Sequence, residues 1–220
     1  MLLAASALRP YVRGVYELSA IAARLARLGR DAGADNDGVP HAAVAAIFRP
    51  ARAGGSELFF IRRAEREGDP WSGHIAFPGG RREESDASLL ACAMRETIEE
   101  VGIDLSRAEL LARLPDVPAF TRSKRGTMIV APFVFALEAD VVPTPNVEVA
   151  EAMWVPFESL ARGDGKGTFL WKWEGKELDL PCIRLGAEQH VLWGMTYRML
   201  ETLLEALISP PPNGDEIVGG

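Results

Sequence analysis

Cysteine is scarce. Only Cys92 and Cys182 occur in 220 residues, far apart and outside any C-x-x-C spacing, so neither a disulfide framework nor a structural zinc site is indicated. That usage fits a reducing compartment, and a cytoplasmic location is expected. The three histidines fall in no nucleophile or zinc pattern and are given no role. Basic charge is also short: 24 Lys and Arg against 31 Asp and Glu give a formal charge of -7. The footprint that grips a long nucleic acid by its phosphates is therefore missing, and no nucleic-acid partner is expected. Small phosphorylated substrates stay open, because bound divalent cations invert the local field. No apolar run approaches the roughly 20 residues that span a bilayer. The longest, Met128 to Leu137, is broken by Pro132, so no membrane partner is expected. The apolar start at Met1 has no basic n-region and meets Arg9-Pro10 at once, which argues against a signal peptide. No internal repeat is present.

What remains is a chain with 48% hydrophobic residues, enough for one core but short for two comfortable domains. Ile21, Leu25 and Leu28 sit at helical spacing, predicting an amphipathic helix from Val15 to Leu28. A Gly- and Asp-rich loop from Asp31 to Gly38 follows, so residues 1–38 read as an N-terminal helix and linker. Residues 39–208 read as the main domain. The stretch 209–220, with three consecutive prolines and three glycines, reads as a mobile tail. Strands are predicted at Ala42 to Phe48, Glu57 to Arg62, His74 to Phe77, Glu109 to Leu114, Thr127 to Leu137 and Glu151 to Val155, the first two as a hairpin. Helices are predicted at Ser88 to Val101 and His190 to Leu207. Together these give an α/β chain: a mixed β-sheet between helices, in an α/β/α arrangement.

The helix from Ser88 to Val101 carries the chemistry. Advancing 100° per residue from Glu96, Glu99 falls at about -60° and Glu100 at about +40°, so three carboxylates share one face. Ala87, Leu90, Ala91, Met94, Ile98 and Val101 fall opposite and are expected to face the sheet. Clustered acids cost a bare helix roughly 0.2–0.5 kcal/mol per like-charged pair, and those near its C-terminus oppose the macrodipole at roughly 0.3–1 kcal/mol each. With Gly102 as C-terminal cap, something positive should compensate. An all-oxygen cluster suits Mg2+ or Mn2+ rather than zinc. Alone, such a cluster is more often only a solvated acidic face.

Upstream, Phe77-Pro78-Gly79-Gly80 supplies a bend and two residues without side chains, allowing close backbone approach and N–H groups for an anion. Followed by Arg95-Glu96 and then Glu99-Glu100-x-Gly102-Ile103, it resembles the Nudix box, G-x5-E-x7-R-E-U-x-E-E-x-G-U with U apolar. Two departures are visible: the glycine-to-arginine spacing is fifteen rather than fourteen, and Thr97 holds an apolar position. The acid six residues after the glycine is Asp86, expected to be a helix N-cap rather than a ligand.

The resemblance implies a Nudix-type α/β/α sandwich and metal-assisted hydrolysis of a diphosphate linkage by water. It implies metal binding by Glu96, Glu99 and Glu100 and a catalytic set of Glu96, Arg95 and Glu99, with Arg95 orienting Glu96. The general base stays unassigned, Glu148 and Glu151 being further candidates. Substrate contacts are expected from Arg62, Arg63, Phe77, Gly79 and Gly80, with Arg66, Arg81, Arg82 and the knot Arg122, Lys124 and Arg125 as further basic groups. Three flanking segments resemble the coenzyme A pyrophosphatase branch: Arg62-Arg63-Ala64 through Gly80, Asn146-x-Glu148-Val149 through Pro156, and Leu192-Trp193-Gly194-Met195-Thr196. In the first, Asp69 stands where that branch carries arginine. The resemblance thus implies a small-molecule nucleotide substrate, with coenzyme A or acyl-CoA first and ADP-ribose, a dinucleotide or an oxidised nucleoside triphosphate as alternatives, and a homodimer. A third reading is an inactive nucleotide-binding module. Trp193 is expected as a core or helix-packing residue rather than a base-stacking platform, and Trp171 and Trp173, in an alternating strand-like stretch, are ambiguous in the same way.

Overall fold

In β1 (His41–Pro50), Ala42, Ala46 and Phe48 enter one apolar cluster while Ala43, Ala45 and Ile47 enter another. The strand is thus buried on both faces, and a two-sided sheet must carry helices on each side. The computed structural model describes residues 16–31, 39, 41–67, 71–120, 127–138, 140–173 and 175–208. The first residue of the predicted N-terminal helix, most of its linker, Asp69, the knot Arg122, Lys124 and Arg125, and the stretch 209–220 lie outside the described residues.

β1 pairs antiparallel with β2 (Ser56–Arg63), closing the expected hairpin, and parallel with β7 (Thr127–Ala136). The path β3 (Ile75–Ala76), β2, β1, β7, β5 (Glu109–Arg113) forms the spine of an eight-stranded mixed sheet. β4 (Gly79–Arg81), β6 (Val117–Phe120) and β8 (Val149–Pro156) join it beside β1, β7 and β2. On one face α1 (Leu18–Leu25) and α4 (Gly194–Ile208) pack Ile21, Leu25, Leu200 and Leu204 against Phe48, Phe60 and Val134. On the other, α2 (Leu89–Val101) packs Leu89, Cys92, Ala93 and Val101 against Ile47, Phe59 and Phe133. The result is an α/β/α sandwich, with a short α3 (Phe157–Arg162) after β8.

A second sheet was not foreseen. β9 (Lys166–Trp173), β10 (Lys176–Leu185) and β11 (His190–Trp193) form an antiparallel three-stranded unit. The predicted helix from His190 is therefore corrected: His190–Trp193 pairs with β10, and the chain turns at Gly194 before becoming helical. Short apolar runs fit either periodicity, and pairing with β10 decides this one.

The predicted back of α2 also needs correction. Ile98 is 46% exposed, whereas the buried residues are Leu89, Cys92, Ala93, Thr97, Glu100 and Val101. Thr97 is accommodated because its hydroxyl donates to the Ala93 carbonyl at 2.7 Å, leaving its methyl to pack. Asp86 is not the N-cap: the Ser88 side chain accepts from the Ala91 N–H at 3.1 Å. Gly102, in the left-handed region at φ 68°, closes the other end as expected.

Candidate active site

Everything around the acidic helix turns on two glycines. A Cβ at Gly79, where φ is 149°, would sit 2.2 Å from the Ala43 carbonyl oxygen, and one at Gly80 would sit 2.4 Å from Glu96 Cδ. Only bare backbone lets β4 lie between β1 and α2. The Gly79 N–H donates to Glu100 Oε2 at 2.9 Å and fixes that carboxylate on the inner side of the helix.

Arg95 is the hub on the outer side. Its Nε and Nη2 grip both oxygens of buried Asp86 at 2.9 and 3.0 Å, while Nη1 lies 3.0 Å from Glu96 Oε1 and 3.0 Å from Glu99 Oε2. Nη2 also donates to the Arg81 carbonyl at 3.2 Å. This fork supplies the positive compensation that the acidic face demanded. It holds the Asp86 carboxyl below, and is itself raised above, the ordinary range. Asp86 thus acts as an anchor for Arg95, a role that spacing alone did not indicate.

Burial pushes the Glu100 carboxyl up to about 7, against the Gly79 N–H and Arg63; Glu96 and Glu148 add to the rise. Burial raises Glu96 too, with Arg95 opposing. Two carboxylates disfavoured in their charged form and facing one space are the electrostatic setting a divalent cation relieves. The Cys92 thiol, pushed up to about 12 by burial, is no nucleophile.

That space is a cavity of about 870 Å3. Glu96, Glu100, Glu148, Arg63, Arg81, Phe77, Gly79 and Gly80 border it; Phe77 is also buried against Phe60 at 5.0 Å between ring centroids. Glu99, Arg62, Arg82 and Glu151 do not border it. Glu99 is 54% exposed and held by Arg95, and Arg62 Nε pairs with Glu151 across β2 and β8 at 3.4 Å. Arg66 pairs with Glu148 at 2.9 Å.

Among the described residues, the three groups whose ligand atoms lie within 4.8 Å of one another are Glu151, Glu188 and His190, not the acids of α2. His190 Nε2 lies 2.9 Å from Glu151 and 3.1 Å from Glu188. Arg62 on Glu151 makes that cluster an ion-pair network rather than a cation site. The oxygen donors that fit Mg2+ or Mn2+ are Glu96 and Glu100, with Glu148 on the same cavity.

Glu148 reaches the cavity through a clasp that the spacing of Asn146 and Glu148 did not reveal. The Asn146 side-chain amide donates to the Glu99 carbonyl at 2.9 Å, its N–H to the Glu100 carbonyl at 2.8 Å, and the Thr144 N–H to the Val101 carbonyl at 2.8 Å. These bonds satisfy the otherwise orphaned carbonyls at the end of α2. The Asn146 side-chain oxygen in turn accepts the Glu148 N–H at 2.7 Å.

The rest of the cavity was the part least visible in the sequence. Trp71, His74, Trp171 and Trp193 border it, as do Met195, Thr196, Arg198 and Met199 of α4. Trp193, expected as a core or helix-packing residue, lies with its ring centroid 4.7 Å from His74, 4.8 Å from Phe169 and 5.3 Å from Trp171.

A sandwich with this glycine-and-glutamate site defines the Nudix class, and the NUDIX domain profile matches residues 39–172, well over half of the chain. The chain belongs to the Nudix family. It is 30% identical to the Nudix hydrolase NudL of Citrobacter koseri over 71% of this chain and 77% of that protein. It is 28% identical to the chloroplastic Nudix hydrolase 22 of Arabidopsis thaliana over 64% of this chain and 47% of that protein. The chain spans about half or less of the length of the curated relatives from Schizosaccharomyces pombe and Arabidopsis that it matches. Among solved structures, the Nudix domain of Shewanella oneidensis NrtR, in complex with ADP ribose, shares the fold. The TM-score is 0.52 and the identity 16%, over 78% of this chain and 90% of that one. No helix among the described residues is long and apolar enough to cross a membrane.

Proposed function

We propose that the chain is a divalent-metal-dependent pyrophosphohydrolase that splits coenzyme A or acyl-CoA into adenosine 3',5'-bisphosphate and a 4'-phosphopantetheine. The observation that carries the reaction class is the convergence of Glu96 and Glu100, with Glu148, beside the bare Gly79-Gly80 backbone at a cavity that also holds Arg63 and Arg81. The choice of coenzyme A rests on the resemblance of the three flanking segments, and it is supported by residues of each on one cavity: Arg63 to Gly80, Glu148, and Trp193 to Thr196.

A bound Mg2+ or Mn2+ would neutralise charge on the diphosphate oxygens and lower the pKa of the attacking water. Glu96 and Glu100 would hold it; Glu99, outside the cavity and paired with Arg95, would join them only by turning away from that guanidinium. Arg95, braced by Asp86, positions Glu96 and Glu99. The Gly79 N–H holds Glu100 in place, and Arg63 and Arg81 meet phosphate oxygens as guanidinium forks. Glu148, paired on its outer side with exposed Arg66, borders the cavity and takes the role of base for the water; Glu151, paired with Arg62 and His190, does not border it.

The test is release of adenosine 3',5'-bisphosphate from coenzyme A with Mg2+, run beside ADP-ribose, a dinucleoside polyphosphate and nucleoside triphosphates. Hydrolysis of coenzyme A at the highest kcat/KM is expected. Preference for ADP-ribose would overturn the substrate, and no hydrolysis of any diphosphate would overturn the reaction class.

A further inference from the structure

The family match ends at residue 172, yet the cavity continues onto residues well beyond it. Its floor is the sheet face that carries Ala42 and Val44 of β1 and Met128 and Val130 of β7. Arg81, Ala42, Val130 and Val117 lie in one register row across β4, β1, β7 and β6. Three strand spacings of about 4.8 Å make that row roughly 14 Å long. The glutamates stand at its β4 end, and α4 packs over β6 at the other. A diphosphate held at the glutamates therefore leaves the α4 end for another part of the same substrate.

Two side chains on the walls that β11 and α4 supply suit a nucleotide: Trp193, against His74 beside β3, and Arg198 of α4. Trp193 is held by three neighbouring rings, so its indole is fixed in place while still bordering the cavity. Arg198 borders the cavity from an exposed position, and among the described residues it pairs with no carboxylate. Glu201, one helical turn on, is committed to Lys166 at 3.0 Å. By contrast Arg62, Arg66 and Arg95 are all ion-paired.

We infer that Trp193 and Arg198 form a second recognition subsite, in which the indole packs against a planar base and the guanidinium pairs with a phosphate monoester outside the scissile diphosphate. This rests on the reading of the substrate as a nucleotide. It assigns specificity to the C-terminal segment rather than to the family's shared part.

The experiment compares Arg198→Gln, Arg198→Lys and Trp193→Leu with the parent, all as full chains. Calorimetry measures adenosine 3',5'-bisphosphate and adenosine 5'-monophosphate, and kinetics measure coenzyme A and 3'-dephospho-coenzyme A with Mg2+. Losing a charge-assisted pair is expected to cut the binding preference for the bisphosphate over the monophosphate about tenfold in Arg198→Gln. The kcat/KM preference for coenzyme A over its dephospho form should fall in parallel, chiefly through KM, and Arg198→Lys should recover part of both. Trp193→Leu should weaken both nucleotides alike. An unchanged preference in Arg198→Gln, or unweakened binding in Trp193→Leu, overturns the subsite. If no substrate turns over, the hydrolase reading fails, while the binding preference still decides the subsite.

Discussion

The two ends of the cavity are built on opposite principles. At the glutamate end the carboxylates and Arg95 are tied down: Glu100 by the Gly79 N–H, Glu96 and Glu99 by Arg95, Arg95 by Asp86, and Glu148 by Asn146. At the other end, on the walls from β11 and α4, an exposed guanidinium and a set of mutually packed rings border the same space. Chemistry demands fixed charges in a water-poor setting, because preorganised groups need no reorganisation as the reaction proceeds. Recognition needs only surfaces that meet ground state and transition state alike, since uniform binding changes KM more than kcat. The contrast predicts how substitutions at each end should divide between kcat and KM.

The largest effect is expected at the tied end. Glu96→Gln or Glu100→Gln should lower kcat by about 10²–10³ while the fold persists, since charge goes and volume stays. Single-turnover rates with saturating Mg2+ check this, and a loss confined to KM would break the contrast. Gly80→Ala should approach the same loss, because its Cβ would meet the Glu96 carboxylate at 2.4 Å.

Next comes Asp86→Ala, which strands a half-buried Arg95 and should cost about 3 kcal/mol in urea unfolding as well as activity. The folded Asp86 pKa lies below its ordinary 3.8, so its stabilisation is present above that value and is lost as pH falls toward the lowered one. The stability gap between parent and Asp86→Ala should therefore narrow in acid.

Glu100 gives the opposite sign. Its folded pKa of about 7 exceeds the ordinary 4.5, so the folded state binds the proton more tightly, and metal-free stability should fall as pH rises from about 4.5 to about 7. Thermal melts in chelator should show that slope in the parent and a flatter one in Glu100→Gln. Added Mg2+ should raise the parent's Tm most above pH 7. The smallest effect belongs to the recognition end: Trp171→Leu should raise KM about two- to fivefold with kcat held, consistent with loss of one aromatic contact.

How much of this was legible in the sequence follows the same divide. Gly79-Gly80, Arg95 and the three glutamates stand in one short window, where periodicity and spacing suffice, and the sheet's long apolar runs announce themselves similarly. The helical wheel gave relative angles but not the stripe that meets the sheet. Glu100 is accommodated inside because the Gly79 N–H donates to it, and Thr97 because its hydroxyl donates to the Ala93 carbonyl; the buried stripe includes both and leaves Ile98 outside. The role of Asp86 depends on Arg95 folding back over the loop, and that of Trp193 on β11 pairing with β10; both are tertiary facts. The NUDIX profile stops before β10, β11 and α4; Leu192 to Thr196 stood out in the sequence, but the pairing that brings it to the cavity did not.

The Asn146 clasp has one further consequence, for how such a chain tolerates change. The crossing between β7 and β8 is pinned at its start, where the Leu137 N–H donates to the Phe48 carbonyl at 2.8 Å, and pinned again where Thr144 and Asn146 close on α2. Between those pins Asp140 pairs with Arg49 and Arg52 and Val141 packs on the core, whereas Val142 is 83% exposed. Residues inserted beside Val142 would enlarge an exposed stretch and leave Glu148 in register with the glutamates. Length can thus drift there, while the same insertion two residues beyond Asn146 would carry a carboxylate out of the site.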